Sequence, residues 1–218
     1  MSDFRSRDDA TTTTNARRAW VLGGGLLLAS TVVGSVAAPA LWGVPGSGFA
    51  GPALFSIALL VFAFGFRGAG SVTARRPLGT AALSLLAVWT FADGILLDLL
   101  PLESMSAAEQ MLVSISDTVL TAALAAIACV RIGRAHVLPP PWNWAPCWAL
   151  GAVIVPAVLQ YLVFAFDAGS PDLRVATVLV GLDSLVRTIA AVFLGVVAIV
   201  LSTRSAGTRT VRILASEE

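Results

Sequence analysis

Six apolar runs, each about as long as a lipid bilayer is thick, dominate this chain and limit what it can fold into. They cover residues 19–42, 49–66, 78–100, 107–130, 145–166 and 175–202. A helix of roughly 20 apolar residues spans a hydrocarbon core of about 30 Å. The composition agrees, because only 12% of the 218 residues are charged, against roughly 25% in soluble domains. The sequence therefore predicts an all-α, polytopic membrane protein, a bundle of six transmembrane helices joined by short loops.

The polar ends of the chain flank this bundle. Residues 1–17 carry both charge signs and a run of threonines, which is typical of a disordered tail. Residues 204–218 predict a second short tail, and residues 18–203 a single transmembrane domain. Arg17 and Arg18 before the first run, with Ala-Pro-Ala at 38–40, also fit a cleaved secretory signal. The first run is long for a signal sequence, which favours an uncleaved first helix.

The placement of the arginines predicts the orientation. All 14 basic residues are arginines, and 12 of them lie in cytoplasmic segments if the N-terminus is cytoplasmic. The outer links then hold one arginine and five acidic residues: Arg174 against Asp98, Glu103, Glu109, Asp167 and Asp172. Cytoplasmic loops carry an excess of basic residues, so we expect both termini in the cytoplasm and the bundle in the plasma membrane. The absence of lysine and the abundance of alanine indicate a bacterium with a GC-rich genome.

Several polar side chains from different runs lie at one predicted depth. At about 1.5 Å per helical residue, four of them lie roughly 20 to 22 Å from the cytoplasmic edges of their helices. An unpartnered charge costs several kcal/mol at such a depth. The sequence therefore predicts one polar site open to the outside. Its residues are the four at this depth, Asp93, Asp117, Gln160 and Arg187, together with Asp183 one turn further out and Trp89 one turn below Asp93.

The predicted site has more acids than bases, which suggests its chemistry. One arginine cannot neutralise three aspartates, so a carboxyl group must hold a proton, a cation must bind, or water must enter. We therefore expect the protein to bind a small solute or cation, for proton-linked transport or for sensing. The alternative is a structural or accessory subunit in which Arg187 pairs with one aspartate only to fix helix packing.

Other classes of function find little support in the residues present. Without lysine no retinal-type or pyridoxal-type Schiff base can form, and a single histidine with two cysteines excludes bis-histidine haem and a histidine-based or thiolate-cluster metal centre within this chain. We therefore expect no cofactor and no metal, and we see no nucleophile–base pair that would favour an enzyme. A net charge of +1 gives no basic field for nucleic acid. The expected partners are the lipid bilayer and the solute, with small-residue helix faces that suit a homo-oligomer or another membrane protein.

Overall fold

The structure is a computed structural model that describes residues 2–37, 40, 47–66, 69–74, 76–99, 105–135, 137, 140–166 and 173–204. Six long helices occupy most of this part of the chain, and no strand occurs in it. The helices are α1 (Ser2–Val32), α2 (Ala50–Phe64), α3 (Pro77–Leu99), α4 (Ala107–Ala135), α5 (Ala145–Phe166) and α6 (Leu173–Arg204). A π-helical turn, Val33–Ala37, extends α1, and short 3₁₀ turns, Ser47–Phe49 and Trp142–Trp144, precede α2 and α5.

Five of the six helices contain a stretch long and apolar enough to cross a membrane. This confirms the all-helical prediction and fits a multi-pass membrane protein. The exception is α2, whose 15 residues measure about 22 Å and fall short of the hydrocarbon thickness. Gly65 ends α2 early because its φ of 70° leaves the helical region, and its N–H caps the carbonyl of Val61 at 2.8 Å.

The first helix is longer than its apolar run. α1 begins at Ser2, so the structure continues the membrane helix backwards through the segment that the sequence predicts as a disordered tail. Of the second predicted tail, residues 204–218, the structure describes only Arg204, which ends α6, and of the signal-cleavage motif at residues 38–40 it describes only residue 40.

The helices form a closed ring in chain order. Each long helix contacts the next one along the chain, and α6 returns to contact α1. Each helix therefore has one face toward the ring interior and one face on its outside. A ring of six helices encloses a space along its axis, and that space is where a solute site would lie.

Small residues bring the ring together where α1 crosses its neighbours. A Cβ atom on Gly24 would lie 2.7 Å from the carbonyl oxygen of Gly195, so α1 and α6 touch backbone to backbone. Gly23 faces the ring of Phe62 on α2, and Gly51 of α2 approaches the backbone of Gly34. These glycines therefore serve helix packing within the chain, where small residues allow close approach.

One end of the ring is packed shut, and we call it the closed end. A cluster of buried side chains fills it, contributed by four helices and by the loop between α2 and α3: Ala63, Val72, Ala82, Leu83, Ala128, Ile132 and Leu201. That loop folds back into the ring, with the amide of Val72 donating to the carbonyl of Phe62 at 3.1 Å. The sequence predicts this end to be the cytoplasmic one.

Hydroxyl groups hold the inserted loop in place. Ser71 donates to the carbonyl oxygen of Ala63 at 2.7 Å and is joined to Thr73 at 3.0 Å, which in turn meets Thr80 of α3 at 2.9 Å. Thr73 is only 1% exposed. Burying polar groups is tolerated when every one is hydrogen-bonded, so this chain of hydroxyls lets a polar loop plug the closed end.

Candidate functional site

A central cavity of about 680 Å³ lies inside the ring, and all six helices line it. Its walls are mostly apolar, which is typical of sites for small molecules. At the closed end it is bounded by Trp20, Val72 and Trp142. At the other end, which we call the open end, the lining includes Ser35, Ser184 and Arg187, and all three are exposed.

Arg187 is the one charged side chain among the described residues that line the cavity. Its Nε donates to Oδ2 of Asp183 at 2.7 Å, one helical turn earlier on α6. The arginine side chain is 55% exposed, whereas the aspartate is 19% exposed. No other described residue bonds to the two terminal nitrogens of Arg187, so its guanidinium keeps donors free for a ligand.

The second oxygen of Asp183 has no hydrogen-bond partner in the described part of the chain, although it is buried. A buried, unsatisfied carboxylate oxygen costs free energy. The Asp183–Arg187 pair therefore leaves one aspartate oxygen and the two terminal arginine nitrogens without a hydrogen-bond partner among the described residues.

A second polar group joins α3 to α4. The indole Nε1 of Trp89 donates to Oδ1 of Asp117 at 2.8 Å, and the hydroxyl of Thr121 donates to the same oxygen at 3.3 Å. The prediction that Trp89 belongs with the acidic residues therefore has a geometric basis, although its ring serves as a hydrogen-bond donor and does not line the cavity.

Asp93 lies half-buried on α3, close enough to Asp117 for their negative charges to repel each other. No hydrogen bond connects Asp93 to another described residue. The three residues Trp89, Asp93 and Asp117 therefore form one group at the α3–α4 interface.

Gln160 is half-buried on α5 and is not among the lining residues. Its neighbour Tyr161 makes the polar contact between α4 and α5 instead. The hydroxyl of Tyr161 lies 2.8 Å from the hydroxyl of Thr118 and 3.2 Å from that of Ser114. Sequence reasoning missed this link, although the single tyrosine of the chain inside an apolar run was a usable signal.

The predicted layer is thus divided into groups. Asp183 and Arg187 form one on α6, and Trp89, Asp93 and Asp117 form another between α3 and α4. Of the six predicted site residues, only Arg187 lines the cavity. The hydroxyl-bearing residues that line it were not predicted as site residues: Ser30, Thr31, Ser35, Thr90, Thr121, Ser184 and Thr188.

The described part of the chain offers few residues for binding a metal ion or for thiol chemistry. No group of three His, Cys, Asp or Glu residues is placed to hold a metal ion there. The two cysteines, Cys129 of α4 and Cys147 of α5, are free thiols.

No family model, curated protein or solved structure matches this chain. The cavity and its charges are therefore the basis for a proposed function.

Proposed function

We propose that this protein binds a small solute in the central cavity, for transport or for sensing. The cavity is the observation that supports the proposal. It is lined by all six helices, has about 680 Å³ of volume, and falls within the range of roughly 300 to 1,000 Å³ that is usual for ligand sites. Exposed residues line its open end and buried ones its closed end, which favours entry beside Arg187.

The alternative of a purely structural subunit is less well supported. A pair that fixes helix packing has to join two helices. Arg187 instead pairs with Asp183 one turn earlier on the same helix and borders the cavity. A cation or proton site at Asp93 and Asp117 is the second candidate, favoured by the excess of acids over bases in the predicted polar layer.

Blocking the cavity is expected to abolish solute binding. Ala191 lines it one turn from Arg187 on α6, and an Ala191→Trp side chain would fill space that a ligand needs. In a thermal-shift screen of small solutes in a nonionic detergent, a compound at 100 times its Kd should stabilise the parent protein by about 2.7 kcal/mol. We expect Ala191→Trp to lose that stabilisation.

The matched control is Ala126→Trp on α4, because Ala126 is exposed and does not line the cavity. It should respond to the same compounds as the parent. A stabilising compound that acts equally on Ala191→Trp would argue against the cavity as the site, as would a screen without any stabilising compound.

We also propose that all six helices span a bacterial plasma membrane, with both termini in the cytoplasm. The arginine distribution supports this orientation. The shortness of α2 is compatible with it, because the 3₁₀ turn Ser47–Phe49 adds length at one end and a bilayer can thin locally around a short helix.

Cysteine labelling tests this topology. In a variant with Cys129 and Cys147 replaced by serine, Met105→Cys between α3 and α4 should react with a membrane-impermeant maleimide on intact cells. Ser2→Cys should react only after the cells are permeabilised. Labelling of Ser2→Cys on intact cells, or protection of Met105→Cys, would contradict the proposed orientation.

A further inference from the structure

We infer that the solute is an amphipathic anion, with a carboxylate or phosphate head on Arg187 and an alkyl chain along the cavity axis. This inference rests on the proposed function and adds the chemical class of the ligand. It departs from the cation hypothesis, because the acidic residues that would hold a cation do not line the cavity.

The charge of the lining gives the first argument. Arg187 is the one ionised side chain among the described lining residues, and only its Nε is engaged by Asp183. The two terminal nitrogens remain, and a guanidinium presents them in the planar fork that matches the two oxygens of a carboxylate or phosphate. The positive charge of the guanidinium would repel a cation.

The hydroxyl groups of the wall give the second argument. Thr31, Thr90 and Thr188 each donate their proton to a carbonyl oxygen of their own helix, at 2.7, 2.8 and 2.9 Å. A hydroxyl has a single proton to donate, so these three present only acceptor oxygens to the cavity. The terminal nitrogens of Arg187 are therefore the strongest free donors near the open end, and an acceptor-rich head group has one clear place to bind.

The shape of the cavity gives the third argument. From Arg187 to Leu201, both of which line it, α6 rises about 21 Å. An extended chain advances about 1.2 Å per bond, so this length suits on the order of 16 carbon atoms. The far end is aromatic and apolar, with Trp20, Phe62 and Trp142, and it would stabilise a chain by about 0.8 kcal/mol per buried methylene.

Asp183 sets the strength of the head-group site. It neutralises part of the arginine charge and would repel an incoming anion at the same time. Removing its charge should therefore tighten the binding of an anion and weaken that of a cation. This opposite dependence makes the sign of the ligand charge measurable.

The test uses the full chain in nanodiscs of zwitterionic phosphatidylcholine, titrated with ω-bromohexadecanoate. Bromine quenches tryptophan fluorescence on contact, and with the head on Arg187 it would reach Trp20 and Trp142. We expect saturable quenching in the parent protein. Arg187→Gln should raise the apparent Kd of the probe about 10- to 100-fold. Asp183→Asn should lower this apparent Kd roughly 2- to 5-fold.

Two controls keep the result interpretable. Arg174→Gln removes an exposed arginine of α6 that does not line the cavity, and it should bind like the parent. The double variant Asp183→Asn/Arg187→Gln keeps the pair neutral, so it should fold normally and still bind weakly. Partitioning of the probe into lipid is the same for all variants and does not affect the comparison.

Different probes distinguish a lipid anion from a free one. They also test the charge of the ligand separately from the cavity as its binding site. Displacement of the probe by phosphatidylglycerol would indicate a lipid head group, and displacement only by single-chain carboxylates or alkyl phosphates a free amphiphile. Equal binding of uncharged ω-bromohexadecanol, blocked by Ala191→Trp and unaffected by Arg187→Gln, would overturn the anion but keep the cavity. Quenching that no variant alters, Ala191→Trp included, would overturn both.

Discussion

Replacing Gly24 with leucine is expected to lower the free energy of unfolding by about 3 kcal/mol or more. A Cβ atom at this position would lie 2.7 Å from the carbonyl oxygen of Gly195 and 2.9 Å from Cγ1 of Ile199. The oxygen belongs to the backbone of α6 and cannot rotate away as a side chain can. The added side chain must therefore push α1 from α6, at the contact that closes the ring.

The adjacent Gly25 gives the matched control for this prediction. A Cβ atom on Gly25 would meet nothing within 4 Å, so Gly25→Leu should leave the melting temperature within about 2 °C of the parent. Circular dichroism during heating in a nonionic detergent measures both variants. Equal losses in the two would mean that any leucine in this stretch disturbs α1, and the specific α1–α6 contact would then not explain the effect.

Replacing Trp89 with phenylalanine is expected to destabilise the protein by about 2 kcal/mol. The carboxylate of Asp117 would lose the indole donor at 2.8 Å and keep only the hydroxyl of Thr121 at 3.3 Å. The repulsion from Asp93 would remain. A charge with fewer donors at this depth in a membrane bundle is costly, so the α3–α4 interface should weaken.

A double-mutant cycle identifies the hydrogen bond as the cause. Asp117→Asn keeps an acceptor oxygen for Trp89 but removes the charge and its repulsion with Asp93, so Trp89→Phe should be less harmful in that background. We expect a coupling of roughly 1 to 2 kcal/mol from chemical unfolding in detergent. Trp148→Phe, at a tryptophan that is 54% exposed, should have little effect. Strict additivity of the first two substitutions would contradict this account.

The helices of this protein could be predicted from sequence because membrane solvation leaves a simple signal. A long apolar run has to be helical, since lipid offers its backbone no hydrogen-bond partner. The length of α2 was harder to predict. This helix ends at Phe64 because Gly65, the next residue, adopts a positive φ, and the apolar Phe66 beyond it carries no sign of the break.

The candidate site was only partly predictable, because depth along a helix is easier to read than direction around it. Counting residues placed Arg187, Asp117 and Gln160 at one level. Which of them faces the axis depends on how each helix is rotated in the ring, and a rotation of one residue is about 100°. Arg187 lines the cavity, whereas Asp117 bonds to Trp89 at an interface.

The contact between α1 and α6 that closes the ring could not be predicted from the sequence, for a similar reason. Small-residue helix faces indicate close approach to some partner, either within the chain or in another molecule. That the partner is α1, through Gly24 against Gly195, follows from the order of helices around the ring, which no local pattern encodes.

The plug formed by Ser71, Val72 and Thr73 has a consequence for the direction of solute movement. If the cavity binds a solute as proposed, this loop stands between the bound solute and the closed end, and the solute would enter and leave beside Arg187 while this conformation lasts. Release to the opposite face would require the hydroxyl chain from Ala63 to Thr80 to break, and α2 and α3, which that chain ties together, to separate. Saturable binding without net flux is thus what the proposed function predicts for this conformation.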